Sequence, residues 1–135
     1  MRIKLLTAAL AGASLFAANA QAQIEIQWWH SMGGALGEAL NGLATKFNLV
    51  QKEYKVVPTF KGGYPESMTA AIAAFRAGNA PHMLQVFEVG TATMMSAKGA
   101  IVPVAKVMTD AKETFDPKAY LPTVTGYYSD LKGNM

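Results

Sequence analysis

The chain has 135 residues, of which 51% are hydrophobic and 16% are charged, and its formal net charge at pH 7 is +3. This composition is typical of an ordinary globular domain and argues against intrinsic disorder. Because the chain has no cysteine, disulfides, thiolate metal sites and a lipid-modified cysteine are excluded.

Residues 1–22 have the layout of a secretory signal peptide. A basic start is followed by an apolar stretch over residues 5–18 and by a small-x-small triplet at residues 20–22. We predict export with cleavage after Ala22. A membrane anchor is the alternative, but the apolar stretch is shorter than the roughly 17–25 residues that span a bilayer.

Much of the positive charge lies in this first segment. Without Arg2 and Lys4 the 12 basic residues fall to 10, against 9 acidic residues. The remaining lysines are scattered and form no basic stripe, so nucleic-acid binding has no electrostatic basis. Residues 23–135 are therefore predicted to form a soluble exported unit with no nucleic-acid partner.

The first predicted strand covers residues 24–29, where apolar and polar residues alternate before two tryptophans. Either Ser31 or the glycine pair at residues 33–34 is the expected cap of the helix that follows. That helix is predicted to be amphipathic because apolar residues recur in it at helical spacing. These residues are Leu36, Leu40, Leu43, Ala44 and Phe47.

The second predicted strand covers residues 54–60, and Pro58 implies an irregular or edge position within it. Pro65 is expected as the first residue of the next helix, which should end at Gly78. One face of that helix is apolar, with Met68, Ala71, Ile72 and Phe75.

The third predicted strand covers residues 83–87, and Glu88 ends its apolar run. Thr91 or Thr93 is expected to cap a short helix that runs to Ala97. Further short helices are predicted over residues 105–111 and 117–121, the second capped by Asp116, and residues 123–128 are predicted as a strand.

Residues 132–134 read Lys-Gly-Asn, which is typical of a hairpin turn, so the strand before them should have a partner after them. Only Met135 follows, and natural domains avoid unpaired strand edges. We expect the chain to be a fragment of a larger protein.

The alternation of strands and helices predicts an α/β fold with a parallel sheet covered by helices. In that topology the loops at residues 30–34, 61–65 and 88–91 lie along one edge of the sheet. Such edges bind ligands in α/β proteins. We therefore expect a small-molecule cleft at this edge.

Glu88 and Tyr64 are the candidate binding residues. The Glu88 carboxylate could accept hydrogen bonds from ligand hydroxyls, or it could be a solvated loop residue. Tyr64 follows two glycines and precedes Pro65, which favours an extended conformation. Its ring could line the pocket while its hydroxyl binds ligand, or it could pack over the loop.

The neighbours His30 and Ser31 could suggest a base and a nucleophile, but no aspartate is placed to orient them. We predict that His30 is structural or lines the pocket and that His82 lies at the surface. Their spacing does not predict a metal site. Residues 31–34 could present N–H groups to an anion, although an ordinary helix start is the preferred interpretation.

Several segments together resemble the periplasmic solute-binding proteins of ABC importers, the extracellular solute-binding protein family 1. The most specific are LQVFEVGTATMM at residues 84–95 and GYYSD at residues 126–130. The others are WHSM at residues 29–32, YKVVPTFKG at residues 54–62 and AAFRAGNAP at residues 73–81. The likeness is strongest to members that bind sn-glycerol-3-phosphate.

This resemblance implies a two-lobed α/β protein that closes on its ligand, with residues 23–135 as a partial N-terminal lobe. It implies that Tyr64 and Glu88 contact sn-glycerol-3-phosphate in the periplasm, with no catalytic residue, metal or cofactor. It also implies delivery to permease subunits coupled to a cytoplasmic ATPase. The family's other ligand contacts, including an arginine for the phosphate, fall outside this sequence, so we expect the isolated chain to bind weakly or not at all.

Three other interpretations remain open. The ligand could be another polyol, an oligosaccharide, a glycerophosphodiester or another organic phosphate, since Glu88 suits hydroxyls in all of them. An exported hydrolase would need a nucleophile, a base and an orienting group, which the sequence does not offer. Finally, the chain could be a truncated product without function.

Overall fold

The computed structural model describes residues 22–97, 99–133 and 135. The predicted signal peptide lies outside this part of the chain, apart from Ala22. Within the described residues the fold is α/β, as predicted, with three parallel strands in the order β2-β1-β3. The strands are β1 Ile24–His30, β2 Tyr54–Phe60 and β3 Met83–Leu84.

Helices connect and follow these strands. The α-helices among the described residues are α1 Gly34–Val50, α2 Tyr64–Arg76, α3 Thr91–Ser96, α4 Val104–Asp110 and α5 Pro122–Tyr127. Two 3₁₀ turns, Glu88–Gly90 and Pro117–Ala119, precede α3 and α5 respectively. We call the first of them the Glu88 turn.

The centre of the sheet is β1, which pairs with β2 over its whole length and with β3 at two residues. Its companion β2 is an edge strand, which confirms the position that Pro58 implied. A proline can occupy an edge because its missing N–H need not face a neighbouring strand.

The outer edge of β2 is covered by two amide side chains from the end of α1 and the residue after it. Asn48 donates to the Val56 carbonyl (2.9 Å) and accepts from the Val56 N–H (2.8 Å). Gln51 makes the same pair of bonds with Tyr54, each 2.7 Å long. The Val56 and Tyr54 backbone groups on this edge are therefore hydrogen-bonded and are not free to pair with another strand.

The core lies where α1 and α2 meet the sheet. Along α1, Gly37, Leu40 and Ala44 are buried because they recur every three or four residues and form one face. From α2, Ser67 and Ala71 are buried. In the described part, no residue after position 76 is buried.

The helix starts differ from the predictions in their caps. Gly33, not Ser31, is the N-cap of α1, in agreement with the glycine alternative, and Gly34 has a φ of 52°. Gly90 rather than Thr91 or Thr93 caps α3. The prediction for Asp116 is confirmed, since its carboxylate accepts from the Lys118 N–H at 2.9 Å.

The third strand is shorter than predicted. It stops at Leu84, which pairs with Trp29, although the Gln85 N–H still donates to the Trp29 carbonyl at 2.9 Å. The physical reason is that β1 ends at His30, one residue after Trp29. Residues 86 and 87 therefore have no β1 residue to pair with. Residues 85–87 are extended without being paired strand.

The predicted strand over residues 123–128 is wrong. Residues 122–127 form α5, which begins with Pro122. Proline suits the first turn of a helix, where its missing N–H has no intrahelical partner, and this outweighs the β-propensity of the threonines and tyrosines. Residues 131–133 turn after a helix, so the expected hairpin is wrong too; Asn134 lies outside the described residues.

Candidate ligand-binding edge

The loops after the three strands meet at the carboxyl edge of the sheet, as the topology predicts. The Lys61 N–H donates to the His30 carbonyl at 2.9 Å, which ties the loop after β2 to the end of β1. The Ser31 N–H donates to Gln85 Oε1 at 3.0 Å, which ties the loop after β1 to the segment after β3. These bonds hold the loops along one edge.

Tyr64 is the first residue of α2, directly after the N-cap Gly63. The turn before it requires a glycine, because Gly62 has a φ of 85°. The half-buried ring of Tyr64 stacks on Phe87, with ring centroids 5.0 Å apart and planes at 29°. Tyr64 therefore packs against the residue that precedes Glu88.

The prediction that Glu88 ends a strand is wrong. Glu88 begins the Glu88 turn, four positions after Leu84, the last residue of β3. The reason is the early end of β3. Its side chain is exposed, and the described residues offer its carboxylate no hydrogen bond or ion pair. An exposed carboxylate can accept hydrogen bonds from a hydroxyl-bearing ligand.

The main chain of the Glu88 turn is held more firmly than its side chain. The Glu88 carbonyl accepts from the Thr91 N–H and from the Tyr127 hydroxyl, the latter at 2.7 Å. A Cβ on Gly90 would lie 2.9 Å from Val86 Cγ1 and 3.2 Å from Met68 Cε, so glycine permits this close packing. Glu88 thus extends from a turn with fixed backbone.

His30 is 2% exposed at the end of β1. Its ring lies between those of Trp28 and Phe60, with centroids 6.4 and 6.0 Å away. Its Nδ1 accepts from the Met32 N–H at 3.3 Å. A buried histidine that serves its own loop in this way is structural, as the sequence suggested. No hydrogen bond joins it to Ser31, whose Oγ is buried without a partner among the described residues.

His82 is exposed, as predicted, and its Nδ1 accepts from the Gln27 N–H at 3.0 Å. In the described part of the chain, no group of three or more histidine and carboxylate side chains is arranged to hold a metal ion. None of the helices described is both long and apolar enough to cross a membrane.

At the start of α1, no side chain among the described residues hydrogen-bonds to the free N–H groups of the first turn. That turn has no acidic residue either. This start has the form of an ordinary helix start, the interpretation that the sequence favoured.

Three side chains at this edge were missed by sequence reasoning. The Lys61 ammonium lies 4.0 Å from the centroid of the Trp29 ring and makes a cation–π contact with it. Lys61 lies in the loop that leads to Tyr64, three positions before it. Phe87 supports Tyr64, and its place in the segment 84–95 was a usable signal. Tyr127 contacts Glu88 across 39 positions, and nothing local in the sequence indicates that contact.

A large apolar cavity lies elsewhere among the described residues. It measures about 670 Å³ and lies between α2 and the segment from β3 to α4. Its lining is mostly apolar and includes Ile72, Phe75, Leu84, Met94, Ile101 and Val107. A polar ligand does not suit this groove, so the candidate site remains at the carboxyl edge.

A shifted pKa among the described residues also lies far from that edge. Tyr54 begins β2, at the opposite end of the sheet from Tyr64. Its pKa is raised above 10.0 by a hydrogen bond to the Glu53 carboxylate, by the negative charge of that group and by burial. This shift reflects the neighbouring carboxylate and marks no ligand site.

Comparison with known proteins gives clear relatives, although no family model matches the chain. It is 56% identical over 117 residues to the sn-glycerol-3-phosphate-binding periplasmic protein UgpB of Yersinia enterocolitica, which is 87% of this chain. It is 52% identical over 125 residues, 93% of the chain, to that of Pectobacterium atrosepticum. An Escherichia coli O1:K1 relative of the same name is 56% identical over 115 residues, 85% of the chain.

The chain spans only part of these relatives. The matches cover 26% of the Yersinia enterocolitica protein, 28% of the Pectobacterium atrosepticum protein and 26% of the Escherichia coli protein. Identity above one half over most of the present chain makes it a homologue of sn-glycerol-3-phosphate-binding periplasmic proteins. The α/β unit described above is consistent with one lobe of such a protein.

Proposed function

We propose that this homologue of sn-glycerol-3-phosphate-binding periplasmic proteins supplies one wall of a site for sn-glycerol-3-phosphate. In this proposal it belongs to the substrate-binding component of an ABC importer, with permease subunits and a cytoplasmic ATPase as partners. Residues 1–22 act as a cleaved signal peptide that directs the chain to the periplasm. The chain captures its ligand and performs no catalysis.

The observation that carries the proposal is the juxtaposition of Tyr64 and the Glu88 turn. Tyr64 stacks on Phe87, with centroids 5.0 Å apart, and Phe87 directly precedes Glu88 in the chain at the carboxyl edge. A glycerol moiety offers hydroxyl donors to the carboxylate and a short carbon chain to the ring. The identity of 52–56% to binders of this solute supports the same assignment.

Charge favours a division of roles within such a site. Glu88 would repel a phosphate, so it should face the glycerol hydroxyls, where a carboxylate makes charge-assisted hydrogen bonds. The phosphate must then lie away from Glu88 and meet cationic or N–H groups elsewhere. Another polyol or an oligosaccharide would satisfy Glu88 equally well, and competition by glycerol, inorganic phosphate and maltose distinguishes these ligands.

The test is titration calorimetry with sn-glycerol-3-phosphate. Because the chain spans 26% of its relative, we would use a hybrid in which it replaces the matching segment of the Yersinia enterocolitica protein. Glu88→Ala should raise Kd by roughly 10- to 100-fold, the effect of one hydrogen bond to a charged group. Glu38→Ala, on the exposed side of α1, is the matched control and should leave Kd unchanged.

An unchanged Kd in Glu88→Ala would remove Glu88 from the site. Equal inhibition of the hybrid by maltose would reassign the ligand to a sugar. A hybrid that folds but binds none of these probes would contradict the proposed function as a whole.

A further inference from the structure

We propose that Tyr127 is a positioning residue for ligand binding: its hydroxyl fixes the backbone of the Glu88 turn and so fixes the direction of the Glu88 carboxylate. This inference rests on the proposed function for its consequence in binding. Its structural part rests on one contact, the 2.7 Å hydrogen bond from the Tyr127 hydroxyl to the Glu88 carbonyl.

The contact uses the full capacity of the acceptor. A carbonyl oxygen has two lone pairs, and the Glu88 carbonyl accepts from both the Thr91 N–H and the Tyr127 hydroxyl. The first bond belongs to the local turn and would form in any short helix. The second comes from α5, 39 positions along the chain, and therefore fixes the turn relative to a separate element.

The other supports of the turn are apolar and less directional. Phe87 stacks on Tyr64, and Gly90 packs against Met68 and Val86. Such contacts resist translation of the turn but allow it to rotate, because dispersion depends little on direction. The Tyr127 hydroxyl, in contrast, gives the turn a directional hydrogen bond from a separate helix, α5.

The position of the bond within the turn explains why it matters for Glu88. The carbonyl carbon and the side chain are both bonded to the Glu88 Cα, so a hydrogen bond that holds the carbonyl oxygen also restrains the position of the Cα from which the side chain extends. Residues 85–87, which lie between β3 and the Glu88 turn, belong to no helix or strand and give the turn little regular backbone support. The carboxylate itself is exposed and has no partner in the described part, so its direction depends on its backbone.

The same bond gives a role to the GYYSD segment at residues 126–130. This segment is one of the two most specific parts of the family resemblance, but the sequence alone indicated no function for it. Tyr127 and Tyr128 are adjacent, with ring centroids 5.0 Å apart and planes at 81°. Only the first of them hydrogen-bonds to the Glu88 turn in the described structure. The two residues therefore form a natural pair of test and control positions.

The first experiment needs no ligand. In the full chain, Tyr127→Phe removes one oxygen and keeps the ring, and NMR follows the carbonyl ¹³C shift of Glu88 and the exchange rate of the Thr91 amide. We expect the carbonyl signal to move and the Thr91 amide to exchange faster. Tyr128→Phe should change neither. Unchanged signals in Tyr127→Phe would overturn the proposal.

The second experiment measures Kd for sn-glycerol-3-phosphate in the hybrid described above. Tyr127→Phe should raise Kd by about threefold, the effect of one neutral hydrogen bond. If Tyr127 acts through Glu88, the effect should disappear in a Glu88→Ala background, because the two changes then share one interaction. A general structural role would instead persist there and would also appear in Tyr128→Phe.

The two proposals fail in different ways. If the folded hybrid binds none of the probes while Tyr127→Phe still moves the Glu88 carbonyl signal, the contact is real and the proposed function is wrong. If Glu88→Ala weakens binding while Tyr127→Phe alters neither Kd nor the carbonyl signal, the positioning role is wrong and the proposed function stands.

Discussion

Residues 24–76 and residues 83–135 are built very differently. The first region contains a strand pair, two long helices and all of the buried residues in the described part, namely His30, Gly37, Leu40, Ala44, Ser67 and Ala71. The second contains a two-residue strand and short helices, none with a buried residue in the part of the chain described.

The candidate site combines these two regions. Tyr64 belongs to the packed region and Glu88 to the open one, and the stack of Tyr64 on Phe87 joins them. The packed region thus supplies a fixed wall, whereas the open region supplies a carboxylate whose position depends on individual contacts. Single substitutions should therefore affect stability in the first region and ligand geometry in the second.

The largest difference should come from paired leucines. Leu40 is 7% exposed on the inner face of α1, whereas Leu121 is 72% exposed beside α5. Leu40→Ala should lower the free energy of unfolding by about 2–4 kcal/mol, because it leaves a cavity. Leu121→Ala should change it by less than about 0.5 kcal/mol. Urea unfolding of the full chain measures both, and equal losses would contradict the comparison.

Paired glycines sharpen the same contrast. A Cβ on Gly37 would lie 2.6 Å from the Met32 carbonyl oxygen, whereas nothing lies within 4 Å of one on Gly126. We expect Gly37→Ala to cost about 1–3 kcal/mol through overpacking. Gly126→Ala should instead stabilise α5 by up to about 1 kcal/mol, since alanine favours helix. Gly42→Ala, which is also unobstructed, controls for helix propensity within α1.

The smallest contrast compares two polar contacts. Asn48→Ala removes both bonds to Val56 and exposes the edge of β2, so we expect a loss of about 1–2 kcal/mol. Asp110→Ala removes an exposed ion pair with Lys106 and should cost only about 0.3–0.5 kcal/mol. Thermal melts at low and high salt test this, because salt should abolish only the Asp110 effect.

Sequence reasoning predicted the edge at which the strand-to-helix loops meet better than it predicted the structure of the open region. It placed Tyr64 and Glu88 at one edge because parallel strands joined by helices bring their following loops together. It could not predict the contact with Tyr127, since a hydrogen bond across 39 positions leaves no local pattern. It also wrongly predicted a strand over residues 123–128 from their β-propensity. That propensity depends on neighbouring strands, which this segment does not have.

By itself, the sequence determined the order of the three strands and of the two helices between them, and the edge at which the loops meet. These follow from hydrophobic periodicity and from the rules of parallel connections, which are local or topological. Only the tertiary structure decided that β3 stops at Leu84, that Asn48 and Gln51 cover the edge of β2, and that Tyr127 holds the Glu88 turn. Each of these depends on where a distant backbone group lies, and that position is set by the packing of the whole chain.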